Sequence, residues 1–326
     1  MQNKKRFLLT MILGLVFYLG LFYFLFAHLD LKSWLLIKKE LKPLFFPLLF
    51  LSGMGLIGAQ GFYLKKVLQI FEIQVPWRET VLLWVMTVPL SLASFGLGGA
   101  AFLYHQIQPK AHSLSRAVMA VLWYYLFYLL VNLSLLLLII FLGPAYANRP
   151  FFHLNNLILL LFLLFLVFIL FWVRPSVRDR LFGLVTRFLS TKPVKYSNWV
   201  DSVRVVWSQK GLIALSASLM VTVCHLFVFW LVFLAYGITV HPMVLFGNYL
   251  LSEFLAIFSP TGGGVGLVEA GLVGSLKISG LTLAQASLVT LTFRVFSFWI
   301  PVFVGYLVLL HFGFRRFWQR QIKPLG

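Results

Sequence analysis

Residues 260–266 read Pro260-Thr261-Gly262-Gly263-Gly264-Val265-Gly266, a proline and four glycines inside an apolar stretch that runs over 243–279. Proline ends the helix before it. The glycines admit positive φ and close approach of other groups. Each piece beside the break is shorter than the roughly 20 apolar residues needed to cross about 30 Å of hydrocarbon. Irregular backbone at membrane depth is tolerated only where protein buries it or a wet cavity meets it. The stretch is therefore expected to be a helical hairpin folded back at membrane depth.

Composition supports the membrane setting. The chain has 326 residues, of which 61% are hydrophobic and 11% charged. A soluble domain carries roughly a quarter charged residues. The excess apolar surface reads as lipid-facing helix. The net charge of +19 fits the basic loops of a membrane protein, which collect on the cytoplasmic side and meet anionic lipid. No helix-turn-helix, zinc-finger or aromatic RNA-binding pattern is present, so a nucleic-acid partner is not expected. Cys224 is the single cysteine, so an internal disulfide is excluded. The seven histidines are scattered without metal-site spacing. His225 reads as a core residue or a helix–helix hydrogen bonder. Neither a metal nor another cofactor is expected.

Outward from the break, full-length apolar runs fall at 7–27, 44–64, 117–142, 152–173, 211–236 and 283–311. The run 7–27 follows Lys4-Lys5-Arg6 and is too long for a signal peptide, so it reads as an uncleaved first span. A second interrupted region, 81–103, breaks at Gly96-Leu97-Gly98-Gly99. The loop 174–210 carries eight basic residues, whereas 143–151 carries only Arg149 and 237–242 none. The N-terminus, that loop and the C-terminal tail with Arg315, Arg316, Arg320 and Lys323 are therefore assigned to the cytoplasm. With that assignment 81–108 must leave and re-enter on the cytoplasmic side, and 243–280 must start and end outside. Residues 28–43, with Lys32, Lys38, Lys39 and Lys42, fall outside by the same count; they read either as an interfacial amphipathic helix or as a sign that the first span lies elsewhere.

The expected fold is an all-α polytopic membrane protein. It has about six full spans plus two re-entrant broken-helix hairpins in an inverted repeat, as in many secondary transporters. It forms one integral membrane domain over 1–326, with halves at about 1–150 and 151–315. Ser113 and Thr282 both read as N-caps of the helix that follows a hairpin.

The second break also carries the candidate site. A helix starting near Gly264 to Gly266 would point its first N–H groups into the break, where they attract an anion such as a phosphate. No Walker lysine follows, which excludes an ATP loop. Glu253 and Glu269, two of only eight acidic residues, flank the break, and Arg294 lies mid-span in 283–311. Ionisable groups at that depth face a partner or a wet cavity. Glu269 and Arg294 read either as a structural ion pair or as a site. In the second reading Arg294 takes a phosphate, while a glutamate takes a cationic group or a proton. The glycines themselves read either as a tight helix-packing kink or as a binding site, and the opposed break at Gly96, Gly98 and Gly99 favours a site. Candidate headgroup contacts are Gly262, Gly263, Gly264, Gly266, Glu269, Arg294 and Glu253, followed by Gly96, Gly98, Gly99 and Arg116. Tyr104, His105 and Lys110 are further candidates for headgroup contact at the inner face. No catalytic residues are assigned.

Ser259-Pro260-Thr261-Gly262-Gly263-Gly264-Val265-Gly266-Leu267-Val268-Glu269-Ala270 resembles the transmembrane domain of lysylphosphatidylglycerol synthetase/flippase proteins. Ala284, Ala286, Arg294, Phe296-Ser297-Phe298-Trp299 and Pro301 extend the similarity. The resemblance implies a flippase-like protein of the bacterial inner membrane, moving a phospholipid between leaflets. Aminoacylated phosphatidylglycerol, an ordinary phospholipid and a polyprenyl-phosphate carrier all fit. It admits a second copy of the chain or a lipid-synthesising enzyme as partner. The chain departs from the family at Ser94-Phe95-Gly96-Leu97-Gly98-Gly99, which lacks the usual proline-glycine-arginine and following acidic residue. Only 15 residues follow His311, too few for the family's soluble aminoacyl-transfer domain. Transport rather than enzymatic activity is thus expected. A lysyltransferase-type enzyme and a non-transporting subunit of a lipid-modifying enzyme are the alternatives.

Overall fold

The computed structural model describes residues 42–94, 97–142, 208–259 and 261–313. The expected spans 7–27 and 152–173, the segment 28–41, most of the central loop (174–207) and the tail from 314 lie outside the described residues. Among those described there is helix and no strand. The order is α1 (Phe45–Ile70), α2 (Trp77–Ala93), α3 (Leu97–Ile107), α4 (Leu114–Leu142), α5 (Gln209–Ala235), α6 (Pro242–Phe258), α7 (Leu267–Ile278), α8 (Leu283–Arg294) and α9 (Ile300–Val308). A π-helical turn, Val295–Trp299, joins α8 to α9.

Four of these stretches are long and apolar enough to cross a membrane: Phe45–Ile70, Leu114–Ile139, Gln209–Ala235 and Leu283–His311. Between 33% and 61% of the most apolar window of each is buried, so each span keeps an apolar face outward. Leu51, Leu212, Val223, Phe303 and Leu307 lie on those faces, each at least half exposed. In water such faces would be a liability, and in lipid they are the solvent contact.

Local chemistry sets the helix ends. Ser208 caps α5 by accepting the Gly211 N–H at 3.3 Å. Pro242 starts α6, where its missing N–H is not needed. Thr282 and Gln285 cap α8 reciprocally, at 3.2 and 3.1 Å. Ser113 accepts the Arg116 N–H at 3.3 Å at the head of α4. Both expected caps are therefore made. The span expected over 44–64 runs on through Lys65 and Lys66 to Ile70, because nothing between them breaks a helix.

Packing fixes directions. The Lys42 N–H donates to the Ala235 carbonyl, so α1 begins where α5 ends and the two run antiparallel. At the far end of α1, Glu72 pairs with Arg116 at the head of α4. The short helices form two hairpins. Glu79, in the first turn of α2, pairs with Lys110 just past α3. Asn248 of α6 bonds Ser275 and Ser279 at the end of α7. Each hairpin thus returns to the end of the bundle from which it left. The α2–α3 pair leaves from the end that holds Ile70, and the α6–α7 pair from the end that holds Ala235. Those ends are opposite, because α1 and α5 are antiparallel.

Candidate functional site

The two hairpin tips meet inside the bundle. A Cβ on Gly262 would fall 2.5 Å from the Leu92 Cα and from the Ser91 carbonyl oxygen, so the glycine turn lies directly on the end of α2. Leu92, Val265 and Val302 form a small buried cluster around this contact, covered by Val88, Phe298, Trp299 and Tyr306. The first tip is tight in its own right. Gly99 lies against the Thr87 carbonyl and Gly98 against that of Leu90, both at 2.7 Å from an added Cβ. The Gly98 N–H donates to the Ser94 hydroxyl at 2.6 Å. Gly98 and Gly99 therefore serve close packing of α3 on α2. Gly96 and Pro260 lie outside the described residues.

The second tip is built around one buried ion pair. Arg294 Nε donates to Glu269 Oε1 at 2.7 Å, and both residues are 6% exposed. Arg294 Nη2 donates to the Gly263 carbonyl at 2.9 Å. Glu269 Oε2 accepts the Gly266 N–H at 2.7 Å. The guanidinium also stacks 4.0 Å from the centre of the Phe298 ring, and Phe298 in turn lies against Gly263. One arginine therefore holds the glycine turn, the α7 N-terminus and an aromatic ring in register.

Backbone conformation explains why glycine stands here. Gly263 has φ of 66° and Gly266 of 87°, in the region that side chains with a Cβ avoid. The turn lets the chain start α7 at Leu267, where the first N–H groups lack intrahelical partners. Gly266 and Leu267 are exposed while Glu269 is buried beneath them. The π turn sits where Pro301 removes a backbone donor. Such bulges are frequent at functional sites, and here Arg294 immediately precedes the turn while Phe298 lies within it.

The expected site residues thus separate into groups. Gly262, Gly263, Gly264, Gly266, Glu269 and Arg294 come together. Glu253 has a different partner: the Tyr128 hydroxyl of α4 donates to its Oε2 at 2.7 Å. Arg116 pairs with Glu72 at one end of the bundle. Tyr104 is 1% exposed, which removes it from headgroup contact at the surface. Lys110 is taken up by Glu79. His225 Nδ1 lies 3.1 Å from the carbonyl of Val221 on its own helix. Among the described residues no group of three or more His, Cys, Asp and Glu is arranged to hold a metal.

A family model described as "Lysylphosphatidylglycerol synthase TM region" matches residues 11–305. The chain belongs to that family. The match spans both halves of the bundle and bears out the resemblance carried by 259–305. It makes the chain a membrane protein with a lipid-related role. No curated protein matches it.

Sequence reading missed the partners of Glu253. Tyr124, Tyr128 and Asn132 recur every four residues on α4. Ser218, Thr222 and His225 share a face of α5, and Tyr249 and Glu253 a face of α6. Polar residues at helical spacing within apolar spans were the available signal.

Proposed function

We propose that this protein is a flippase-like translocase that moves a phospholipid between the leaflets of the bacterial inner membrane, and that it is not itself an enzyme. The observation that carries the reading is the buried Arg294 at the meeting point of two broken helical hairpins. A guanidinium with N–H groups left after its bonds to Glu269 and Gly263 suits a lipid phosphate, which binds arginine forks in the same way as a carboxylate. The exposed N-terminus of α7 adds backbone donors and a favourable dipole. In this reading the phosphate takes the Arg294 N–H groups that Glu269 and Gly263 leave open.

The two halves are read as an inverted repeat. Support comes from hairpins that leave opposite ends of the bundle, each followed by a capped helix, α4 or α8. In the membrane both hairpins are re-entrant, with the N- and C-termini on the cytoplasmic side. Such an arrangement places the binding point near the midplane, where either leaflet can reach it.

The test is leaflet exchange of a fluorescent phospholipid in liposomes holding the purified chain, read by quenching from outside. Exchange by the native protein and its loss in Arg294→Ala are expected. Equal exchange by the two would remove Arg294 from the role. A second reading follows from the family description, which names a lipid synthase: the chain could serve a lipid-modifying enzyme as a membrane subunit. Lysyl-lipid formed from charged tRNA by this chain alone would make it the enzyme. Co-purification with an enzyme but no lipid exchange would make it the subunit.

A further inference from the structure

The first hairpin is held differently on the two sides of Pro89, the proline inside α2. Before it, α2 is fixed to its neighbours at two places. Gly61 of α1 lies directly on Val81, whose Cα would fall 2.7 Å from an added Cβ, and Glu79 pairs with Lys110 just past α3. At Pro89 the ring supplies no N–H for the Val85 carbonyl and crowds it, which weakens the helix at that turn. The Thr87 hydroxyl adds to this by donating back to the Trp84 carbonyl at 2.6 Å, a bond of the kind that bends helices. Gly305 of α9 covers the weak point. A Cβ there would meet the Val85 oxygen and fall 2.7 Å from the Pro89 Cδ, so α9 lies against the turn with no side chain between them.

Beyond Pro89 the chain is tied mainly to its own hairpin. The Ser94 hydroxyl donates to the Leu90 carbonyl and accepts the Gly98 N–H, both at 2.6 Å, so the last turn of α2 and the head of α3 form one piece. That piece meets the second hairpin at Gly262 and in the cluster of Leu92, Val265 and Val302. The cluster is small and apolar and stands apart from the two larger cores, so separating it costs little beside opening either core. Gly262 directly precedes Gly263, whose carbonyl Arg294 holds. The contact therefore covers the turn on which the Arg294 site is built.

We propose that the last turn of α2, residues 90–93, is a gate on the Arg294 site. It swings at Pro89 against Gly305, and the seat of Leu92 on Gly262 is its closed position. Closed, it separates the site from the end of the bundle that holds Ile70, from which the first hairpin leaves. Val81 and Glu79 stay in place while the last turn lifts, so the hairpin bends rather than withdraws. A few residues at a helix break absorb such a motion. The second hairpin supplies a fixed stop, because Arg294 ties its glycine turn to Glu269. Control of lipid passage by this gate rests on the translocation reading, whereas the motion itself does not.

Thiol labelling of Leu92→Cys, placed in a Cys224→Ser background of the purified full chain, tests the motion without any lipid assay. Leu92 is 7% exposed with the gate closed, so a cysteine there reacts only when the last turn lifts. Reaction in the folded protein is expected, slowed severalfold by Pro89→Ala, which restores the missing helical bond. A rate that Pro89→Ala leaves unchanged, or no reaction short of unfolding, would overturn the proposal. Joining Leu92→Cys to Val265→Cys with a short, reducible bifunctional thiol reagent should hold the gate shut. In vesicles, labelled-lipid exchange should then fall severalfold and return when the link is reduced. Undiminished exchange by the linked protein would overturn the gate's part in transport, and failure of the pair to link would overturn the closed position. No exchange by the native chain, with labelling of Leu92→Cys still slowed by Pro89→Ala, would instead sink the translocation reading and leave the hinge standing.

Discussion

Arg294 and Glu269 carry opposite charges in an environment that penalises either alone. With both residues 6% exposed, removing one partner strands the other, which typically costs about 3–5 kcal/mol. Arg294→Ala and Glu269→Gln should therefore both lower the melting temperature in detergent by a large and similar amount. The double substitution should recover much of the loss, because it leaves no stranded charge. If each single variant melts with the native protein, the pair contributes nothing to stability. The glycines make different demands. At Gly262 any Cβ meets the backbone of α2, so Gly262→Ala must push the hairpins apart. At Gly266 there is open space within 4 Å of a Cβ, and only φ of 87° opposes a side chain. Gly266→Ala should cost about 1–3 kcal/mol and leave the tip contact intact. Gly262→Ala should lose lipid exchange even where it still folds. Equal exchange by both variants would show that the tip contact is dispensable.

The helices are closed by ties of unequal strength. Lys110 and Glu79, which close the first hairpin, have side chains 29% and 31% exposed. Solvent screens such a pair, which is worth about 1 kcal/mol or less. A double-mutant cycle on Lys110 and Glu79 should thus give a coupling several times smaller than the cycle on Arg294 and Glu269. Comparable couplings would mean that exposure does not set the energetics here. The α6–α7 hairpin is closed instead by Asn248 with Ser275 and Ser279, of which Asn248 is 0% and Ser275 3% exposed. Asn248→Leu should loosen that hairpin more than Lys110→Ala loosens the first, read as faster amide exchange in α7 than in α3.

For the molecule as a whole, the decisive prediction concerns sidedness. If the hairpins enter from opposite faces, single cysteines at Ala111 and Ser279, placed in a Cys224→Ser background, should react with an impermeant thiol reagent from opposite sides of the membrane. Labelling of both from one side would end the inverted-repeat reading. The experiment addresses the fold directly, because Ala111 follows α3 and Ser279 follows α7.

Much of this architecture was legible in the amino acids. Hydrophobic length, basic loops, caps at Ser113 and Thr282, and the breaks near Gly96 and Gly262 are local properties. They follow from solvation and backbone sterics within a few residues of where they act, so the sequence alone determined a helical membrane protein with two interrupted regions. Only the tertiary structure decided how those regions meet. It set Gly262 on Leu92, joined Arg294 to Glu269 and Gly263 at once, and gave Glu253 to Tyr128 rather than to the glycine turn. Glu253 and Tyr128 are 125 positions apart in the chain. Their contact depends on how α4 and α6 pack, and nothing local in either helix encodes which face the other presents.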